Sequence, residues 1–246
     1  MSFPHPHYRR HRRMAQSRND RFSDSRQKWW MRFDGVCEGD NDSERSILVD
    51  PHVWARWQNH PFFLTVLPRV LSSVPPIHLQ EGPTCGLYAL KMIEPTLEVA
   101  TLLYQARSLG FTERGEMFCV HEMAELARRN GLNAEALPIE SILQRAHQQE
   151  GVVMIPYDSD VSGISYRRGE NAHWGVIWQL CALGDGQTTE WVGVMSHSSM
   201  VLPAVESWTE LVASNAQLVS AVVDLENGLE DHLEACCLRG WAVWIS

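Results

Sequence analysis

The sequence predicts an α+β fold in which a helical first half precedes a mostly antiparallel sheet. Apolar residues recur at helical spacing downstream of Cys85, whereas the chain from residue 151 onward contains runs rich in β-branched and aromatic residues. Asp185-Gly186 joins two of these runs and is a strong hairpin signal. Helices followed by strands, rather than alternating with them, are typical of α+β domains, so a cleft is expected between the two halves.

Glycine and proline residues delimit most of the predicted elements. The helices are expected from Cys85 to Ile93, from Pro95 to Gly110, from Met117 to Arg129, from Pro138 to Ala146, and from Ser207 through Leu211, where Ser207 and Glu210 form a capping box. The strands are expected at residues 151–156, 173–182, 190–197, 219–225 and 241–245. The aromatic segment 54–67 is expected to form a short helix or an arm laid on the core.

Charge is divided unevenly along the 246 residues. Residues 1–32 contain nine Lys or Arg and two Asp, whereas the remaining residues contain 12 basic and 28 acidic side chains. This division predicts a poorly ordered basic tail on an acidic domain. We assign residues 1–50 to the tail and an acidic linker, and residues 51–246 to one domain. A nucleic-acid role is not favoured, because few aromatic residues lie between the basic ones.

The sequence lacks the usual features of secreted and membrane proteins. It has no run of about 18 apolar residues and no apolar secretion signal at its N-terminus. Its six cysteines follow no regular framework and are expected to be thiols in a reducing compartment. Cys119-Val120-His121 has no second pair at zinc-ligand spacing, so neither a metal nor a cofactor is expected. We predict a cytoplasmic protein that does not enter membranes.

Cys85 and His173 carry the clearest chemical signal. A thiol is a strong nucleophile as the thiolate, and a helix N-terminus or a neighbouring imidazolium lowers its pKa. Cys85 is predicted on the first turn of a helix, and His173 opens an apolar run later in the chain. Either residue alone is more often part of a core. Together they predict the Cys–His pair of a cysteine protease, in the arrangement that papain-like folds use.

Gln80 and a third residue would complete such a site. The Gln80 amide can reach the attacked carbonyl oxygen and form an oxyanion hole with the backbone N–H of Cys85. In papain-like folds an Asn or Asp on the next strand orients the histidine, but the residues expected opposite His173, Ser196 to Ser199, include neither. Three alternatives stay open. The third residue is His197 or a serine hydroxyl, or it is Asp185 or Asn215 from elsewhere, or the Cys–His pair acts without one. For Asn215, at a predicted helix end, a capping role is favoured.

Five segments resemble the actin maturation protease family: LQEGPTCGLYALKM (79–92), GEMFCVHEMAELA (115–127), IPYDSD (155–160), GENAHWG (169–175) and ASNAQL (213–218). The resemblance spans roughly residues 75–246. It implies a papain-like cysteine aminopeptidase that removes the acetylated first residue, methionine or cysteine, from nascent actin. It also implies that Cys85 is the nucleophile, His173 its partner, and Gln80 the residue that assists the oxyanion.

The resemblance also bears on partners. The first residues of mature actins are acidic, and Arg167 and Arg168 are candidate contacts for them; the alternative is a pair of solvated loop arginines. Family members often begin with a proline-rich stretch suited to profilin, whereas Pro4 and Pro6 are isolated here, which does not favour profilin binding. Two other classes stay open: another papain-like protease, deubiquitinase-like or peptide-processing, and a non-catalytic binding module with the same fold.

Overall fold

An eight-stranded sheet organises the part of the chain that the computed structural model describes, which comprises residues 29–33, 45–159, 169, 171–219 and 237–246. Its strands are β1 Trp29–Phe33, β2 Arg45–Val49, β3 Ala134–Pro138, β4 Val152–Asp158, β5 Ala172–Gly184, β6 Thr189–His197, β7 Ala204–Ser207 and β8 Trp241–Ile245. They lie in the order β1-β2-β7-β6-β5-β4-β8-β3. The β2–β7 pair is parallel and the others are antiparallel. The predicted α+β class and mostly antiparallel sheet are confirmed.

Helices precede most of the sheet in the chain. They are α1 Pro51–Trp57, a π-helix at Phe62–Val66, α2 Leu67–Ser73, α3 Cys85–Ile93, α4 Val99–Ser108, α5 Val120–Arg129, a short 3-10 helix at Ile139–Ser141, α6 Ile142–Gln148 and α7 Trp208–Asn215. The predicted bounds of α3 are confirmed. The helix expected from Pro95 begins later, at Val99, because the Glu94 carboxylate accepts hydrogen bonds from the backbone and hydroxyl of Thr96 and holds a turn there.

The segment assigned to a linker requires correction. Residues 45–49 form β2, which lies between β1 and β7 in the sheet, and the side chains of Ile47 and Val49 are fully buried. The sheet therefore begins before residue 51, and the predicted domain boundary is wrong at this strand. The predicted basic tail, residues 1–32, overlaps β1 at its end, so its last residues belong to the sheet; residues 1–28 lie outside the described part of the chain.

Two further predictions differ from the structure. Pro138 ends β3 and so does not begin a helix; the helical turns start at Ile139. Ser207 is the N-cap residue of α7, but its side chain makes no capping hydrogen bond, so the Ser207 half of the predicted capping box is not formed. The strand expected at 219–225 falls almost entirely outside the described residues.

Three apolar clusters hold helices against the sheet. In the first, α3, α4 and α5 pack on the face that carries Trp174 and Val176 of β5. The second joins α1, the π-helix and α2 to strands β2, β6 and β7. In the third, α6 and α7 pack on the opposite face, around Tyr157 and Ile177. The first cluster fixes the N-terminus of α3 against the start of β5. Within the described ranges, no helix is long and apolar enough to cross a membrane.

Candidate active site

The N-terminus of α3 presents Cys85. The chain turns into the helix at Gly82, whose positive φ of 67° suits glycine. The N-cap residue is Thr84, and its hydroxyl donates to the Glu81 carbonyl (2.7 Å) instead of accepting from the helix. The Thr84 side chain therefore does not occupy the first backbone N–H groups of α3, which lie near the Cys85 thiol and can donate to other acceptors.

Trp174 of β5 packs directly against this helix turn. A Cβ atom at Gly86 would overlap Met123 Cε and lie 3.1 Å from the Trp174 ring, so the helix and the strand are closely packed at this glycine. The Trp174 indole N–H donates to the Met117 carbonyl (2.9 Å), which ties β5 to the loop before α5. Trp174 therefore sets the spacing between the helix that carries Cys85 and the strand that carries His173.

The environment of the Cys85 sulfur has opposing effects on its pKa. Burial raises the pKa of the thiol above its ordinary value, and the negative charge of Glu116 adds to this rise. Hydrogen bonds from the backbone N–H groups of Trp174, Gly86 and Cys85 itself lower the pKa, but burial outweighs them. The lowering of the pKa expected at the helix N-terminus is therefore present, but burial has the larger effect.

His173 lies one residue before Trp174, near the start of β5, and pairs across the sheet with Tyr157. Burial lowers the pKa of its imidazole from 6.5 to about 4. Its Nε2 atom is buried and has no hydrogen-bond partner among the described residues. A neutral thiol and a neutral imidazole are thus the resting forms. Proton transfer from Cys85 to His173 belongs to the reaction and is not complete beforehand.

Two further aromatic side chains adjoin His173. The His197 ring, at the end of β6, lies 5.5 Å from the His173 ring at an interplanar angle of 89°. The Tyr157 ring lies 6.0 Å from His173 and 6.2 Å from His197. The Nδ1 atom of His197 shares a 2.8 Å hydrogen bond with the Ser199 hydroxyl. Of the predicted alternatives for a third residue, His197 is therefore beside His173.

Gln80 is linked to the turn after β6. Its backbone N–H donates to the Ser198 carbonyl (2.9 Å), and its side-chain oxygen accepts from the Ser198 hydroxyl (2.8 Å). The side-chain NH₂ donates to the Gly82 carbonyl (2.8 Å). Gln80 therefore borders the Cys85 turn, but one of its donors is already engaged. Its role at the oxyanion stays a prediction.

Asp185 and Asn215 have other roles. Asp185 lies in the exposed β5–β6 turn, where it accepts from the N–H groups of Gln187 and Thr188; this turn is at the opposite end of β5 from His173. Asn215 is fully buried. It donates to the Pro156 and Leu238 carbonyls and accepts from Gly240 N–H. It joins β4 to the chain before β8, a role that neither the triad nor the helix-cap interpretation anticipated.

Two of the predicted site residues, Arg167 and Arg168, fall outside the described residues. Across the residues with described side chains, no group of three or more His, Cys, Asp or Glu could hold a metal ion. Sequence reasoning missed Glu116 and the spacing role of Trp174. It also missed the fully buried Asp158, which accepts from Gly169 and Asn171 N–H just before β5.

The chain is similar to proteins named Actin maturation protease. Residues 75–181 match the family model described as Actin maturation protease-like, C-terminal domain. The relative from Danio rerio is 35% identical over 61% of this chain and 52% of its own length. The relative from Drosophila melanogaster is 32% identical over 56% of this chain and 57% of its own length. The Homo sapiens relative is 34% identical over 41% of this chain and 33% of its own length.

These matches confirm the resemblance predicted from the sequence motifs. The matched segment of this chain contains Gln80, Cys85 and His173. In the three relatives above, the chain spans between 33% and 57% of their length. The segment that matches the family model runs from the approach to α3 into β5.

Proposed function

We propose that this protein is a papain-like cysteine aminopeptidase that removes an acetylated methionine or cysteine from the N-terminus of immature actin. The observation that carries the proposal is the position of the Cys85 thiol: it lies at the N-terminus of α3 and receives a hydrogen bond from the N–H of Trp174, the residue that follows His173. The reaction class follows from this thiol and imidazole, and the substrate follows from the name that the relatives share.

In the first half of the proposed reaction, His173 accepts the thiol proton as the sulfur attacks the carbonyl carbon of the acetylated residue. The tetrahedral oxyanion lies at the start of α3, where the Cys85 N–H and the positive end of the helix dipole stabilise it. Gln80 contributes a side-chain N–H after its NH₂ group turns from the Gly82 carbonyl. When the carbon–nitrogen bond breaks, His173 returns the proton to the departing amine, which becomes the new N-terminus.

In the second half, water hydrolyses the thioester. His173 accepts a proton from the water molecule as its oxygen attacks the thioester carbonyl, and the carbon–sulfur bond then breaks. The proton returns to the Cys85 sulfur, and the acetylated amino acid leaves. Since the resting pair is neutral, both steps use His173 as a general base before it acts as an acid.

A direct test uses a pair of peptides that begin with methionine and continue with acidic residues, one acetylated and the other with a free amine. The expected result is release of acetylmethionine from the first peptide alone, and none by Cys85→Ala. The proposed specificity requires a closed apolar pocket around the acetylmethionine, which would exclude the positive charge of a free amine. Equal cleavage of both peptides would contradict the proposed specificity. Cleavage of a ubiquitin C-terminal amide instead would favour the deubiquitinase-like alternative, and no cleavage with any substrate would favour a binding module.

Arg167 and Arg168 are proposed to attract the acidic residues that follow the cleaved bond. Replacing both with Ala is expected to raise KM for the acidic peptide more at low salt than at high salt, because screening weakens exposed charge interactions. The matched substrate is a peptide in which the acidic residues are replaced by Ser, for which KM should not change. Equal effects at both salt concentrations would exclude this role. Because actin is a cytoplasmic protein, we also propose a cytoplasmic location.

A further inference from the structure

The proposed mechanism leaves one requirement of His173 unmet. When the imidazole takes the thiol proton, both of its ring nitrogens carry hydrogen, and a buried N–H without an acceptor costs free energy. Other Cys–His proteases meet this need with an amide or carboxylate oxygen that also fixes the ring orientation. Here Nε2 of His173 is buried and finds no acceptor among the residues that the structure describes.

His197 is the strongest potential acceptor beside the His173 ring. The two imidazole centroids are 5.5 Å apart. Two imidazoles joined end to end by an N–H···N hydrogen bond have centroids about 5 Å apart, from a bond of about 3 Å and about 1.1 Å from each centroid to its nitrogen. The observed centroid separation is therefore close to the separation that such a bond requires. Tyr157 is the other neighbour, but a phenol oxygen is a weaker acceptor than an unprotonated imidazole nitrogen.

The turn after β6 holds the His197 ring in place. Ser199 Oγ lies 2.8 Å from His197 Nδ1, and the His197 carbonyl accepts from the backbone N–H of Met200. Ser198, between them, makes two hydrogen bonds to Gln80, one through its backbone and one through its hydroxyl. One turn thus connects the ring beside His173 to the residue expected at the oxyanion.

We propose that His197 is the positioning residue for His173: its Nδ1–H donates to Ser199 Oγ, and its Nε2 accepts the Nε2–H of His173. This donation fixes the tautomer in which Nε2 carries a lone pair. The arrangement rests on the proposed function, since it assigns His173 as the base, and it replaces the amide or carboxylate of other proteases by a second imidazole. The titratable groups around His173 are then Cys85 on α3, Tyr157 on β4 and His197 on β6, with Glu116 acting on Cys85.

The test compares four variants by the rate at which iodoacetamide alkylates Cys85, followed from pH 5 to 10 with the modified residue located by peptide mapping. His197→Phe keeps an aromatic ring and removes the acceptor. His197→Gln restores an acceptor, because the glutamine oxygen reaches the position of Nε2. Ser199→Ala removes the oxygen that holds the proton on Nδ1 of His197, so this tautomer is no longer favoured. His147→Phe is the matched control, since His147 also packs edge-on against an aromatic ring, that of Trp191.

The expected result is a loss of about 10- to 100-fold in alkylation rate near pH 7 for His197→Phe, with the inflection of the pH profile moved upward. Ser199→Ala should lose less, about 3- to 10-fold. His197→Gln should recover most of the rate, and His147→Phe should match the wild type. In peptide cleavage, the loss for His197→Phe should fall on kcat, with KM unchanged.

A wild-type profile for His197→Phe would overturn the proposal, as would a His197→Gln variant as slow as His197→Phe. If His197→Phe does not fold, judged by its thermal unfolding, a wild-type profile for Ser199→Ala overturns the proposal equally. Because alkylation needs no actin substrate, the positioning role of His197 and the aminopeptidase function are tested separately. A wild-type protein that is alkylated with a histidine-coupled profile but leaves acetylated peptides intact would contradict the aminopeptidase function, while the His197 variants would still decide the positioning role.

Discussion

Acidification should destabilise the fold through His173. The pKa of this imidazole is about 4 in the folded protein and about 6.5 when it is exposed to water. Between these two values the unfolded chain binds a proton that the folded chain does not, so the free energy of unfolding falls as the pH decreases from about 6.5 to about 4. Each unit of difference corresponds to about 1.4 kcal/mol, which gives a loss of about 3 kcal/mol from this residue.

The assay is urea unfolding of the wild type and of His173→Gln at intervals between pH 7.5 and pH 4. Other groups titrate in both proteins, so the informative quantity is the difference between the two free energies of unfolding. This difference should shift by about 3 kcal/mol in favour of the variant as the pH falls, with most of the change between pH 6.5 and pH 4. A difference that stays constant with pH, or that shifts in favour of the wild type, would refute the burial argument.

Three further variants test how the site is held. Gly86→Ala should lower the free energy of unfolding by about 1–3 kcal/mol and slow Cys85 alkylation, because the added methyl group meets Trp174 and Met123; a wild-type alkylation rate would show that the spacing is not critical. Asp158→Asn should cost about 1–3 kcal/mol in urea unfolding, because an amide has one oxygen for the Gly169 and Asn171 N–H groups; unchanged stability would exclude this role. Asn215→Ala should cost about 2 kcal/mol or more but leave alkylation unchanged, whereas loss of alkylation with wild-type stability would return Asn215 to the list of triad candidates.

Elements with strong local signals were predictable. Pro95 and the Gly82-Pro83-Thr84 segment delimit α3, and Asp185-Gly186 marks the β5–β6 hairpin, so the sequence alone was sufficient for both. Strands β1, β2, β3 and β7 were not predicted. Three of them pair with a strand far away in the sequence: β3 pairs with β8, and β2 pairs with β7. Strand propensity reflects packing on neighbours more than local preference, so short strands of this kind carry little signal of their own.

The candidate site was predictable in its residues and not in its electrostatics. Cys85 and His173 could be selected by residue type and by their expected positions on a helix start and a strand. The rise in the Cys85 pKa could not be predicted from the sequence, because it depends on burial by residues from several elements. The engagement of the Gln80 side chain with Gly82 and Ser198 likewise depends on where the turn after β6 lies.

The central claim, that Cys85 forms a thioester with an acetylated amino acid, is tested most directly by mass spectrometry of the acyl-enzyme. An activated ester of acetylmethionine is the suitable substrate, because its leaving group needs no proton and the acyl-enzyme accumulates. After an acid quench, the protein mass should increase by one acetylmethionyl group, the adduct should map to Cys85, and Cys85→Ala should remain unmodified. An adduct on another residue, or turnover of the ester by Cys85→Ala at the wild-type rate, would contradict the account.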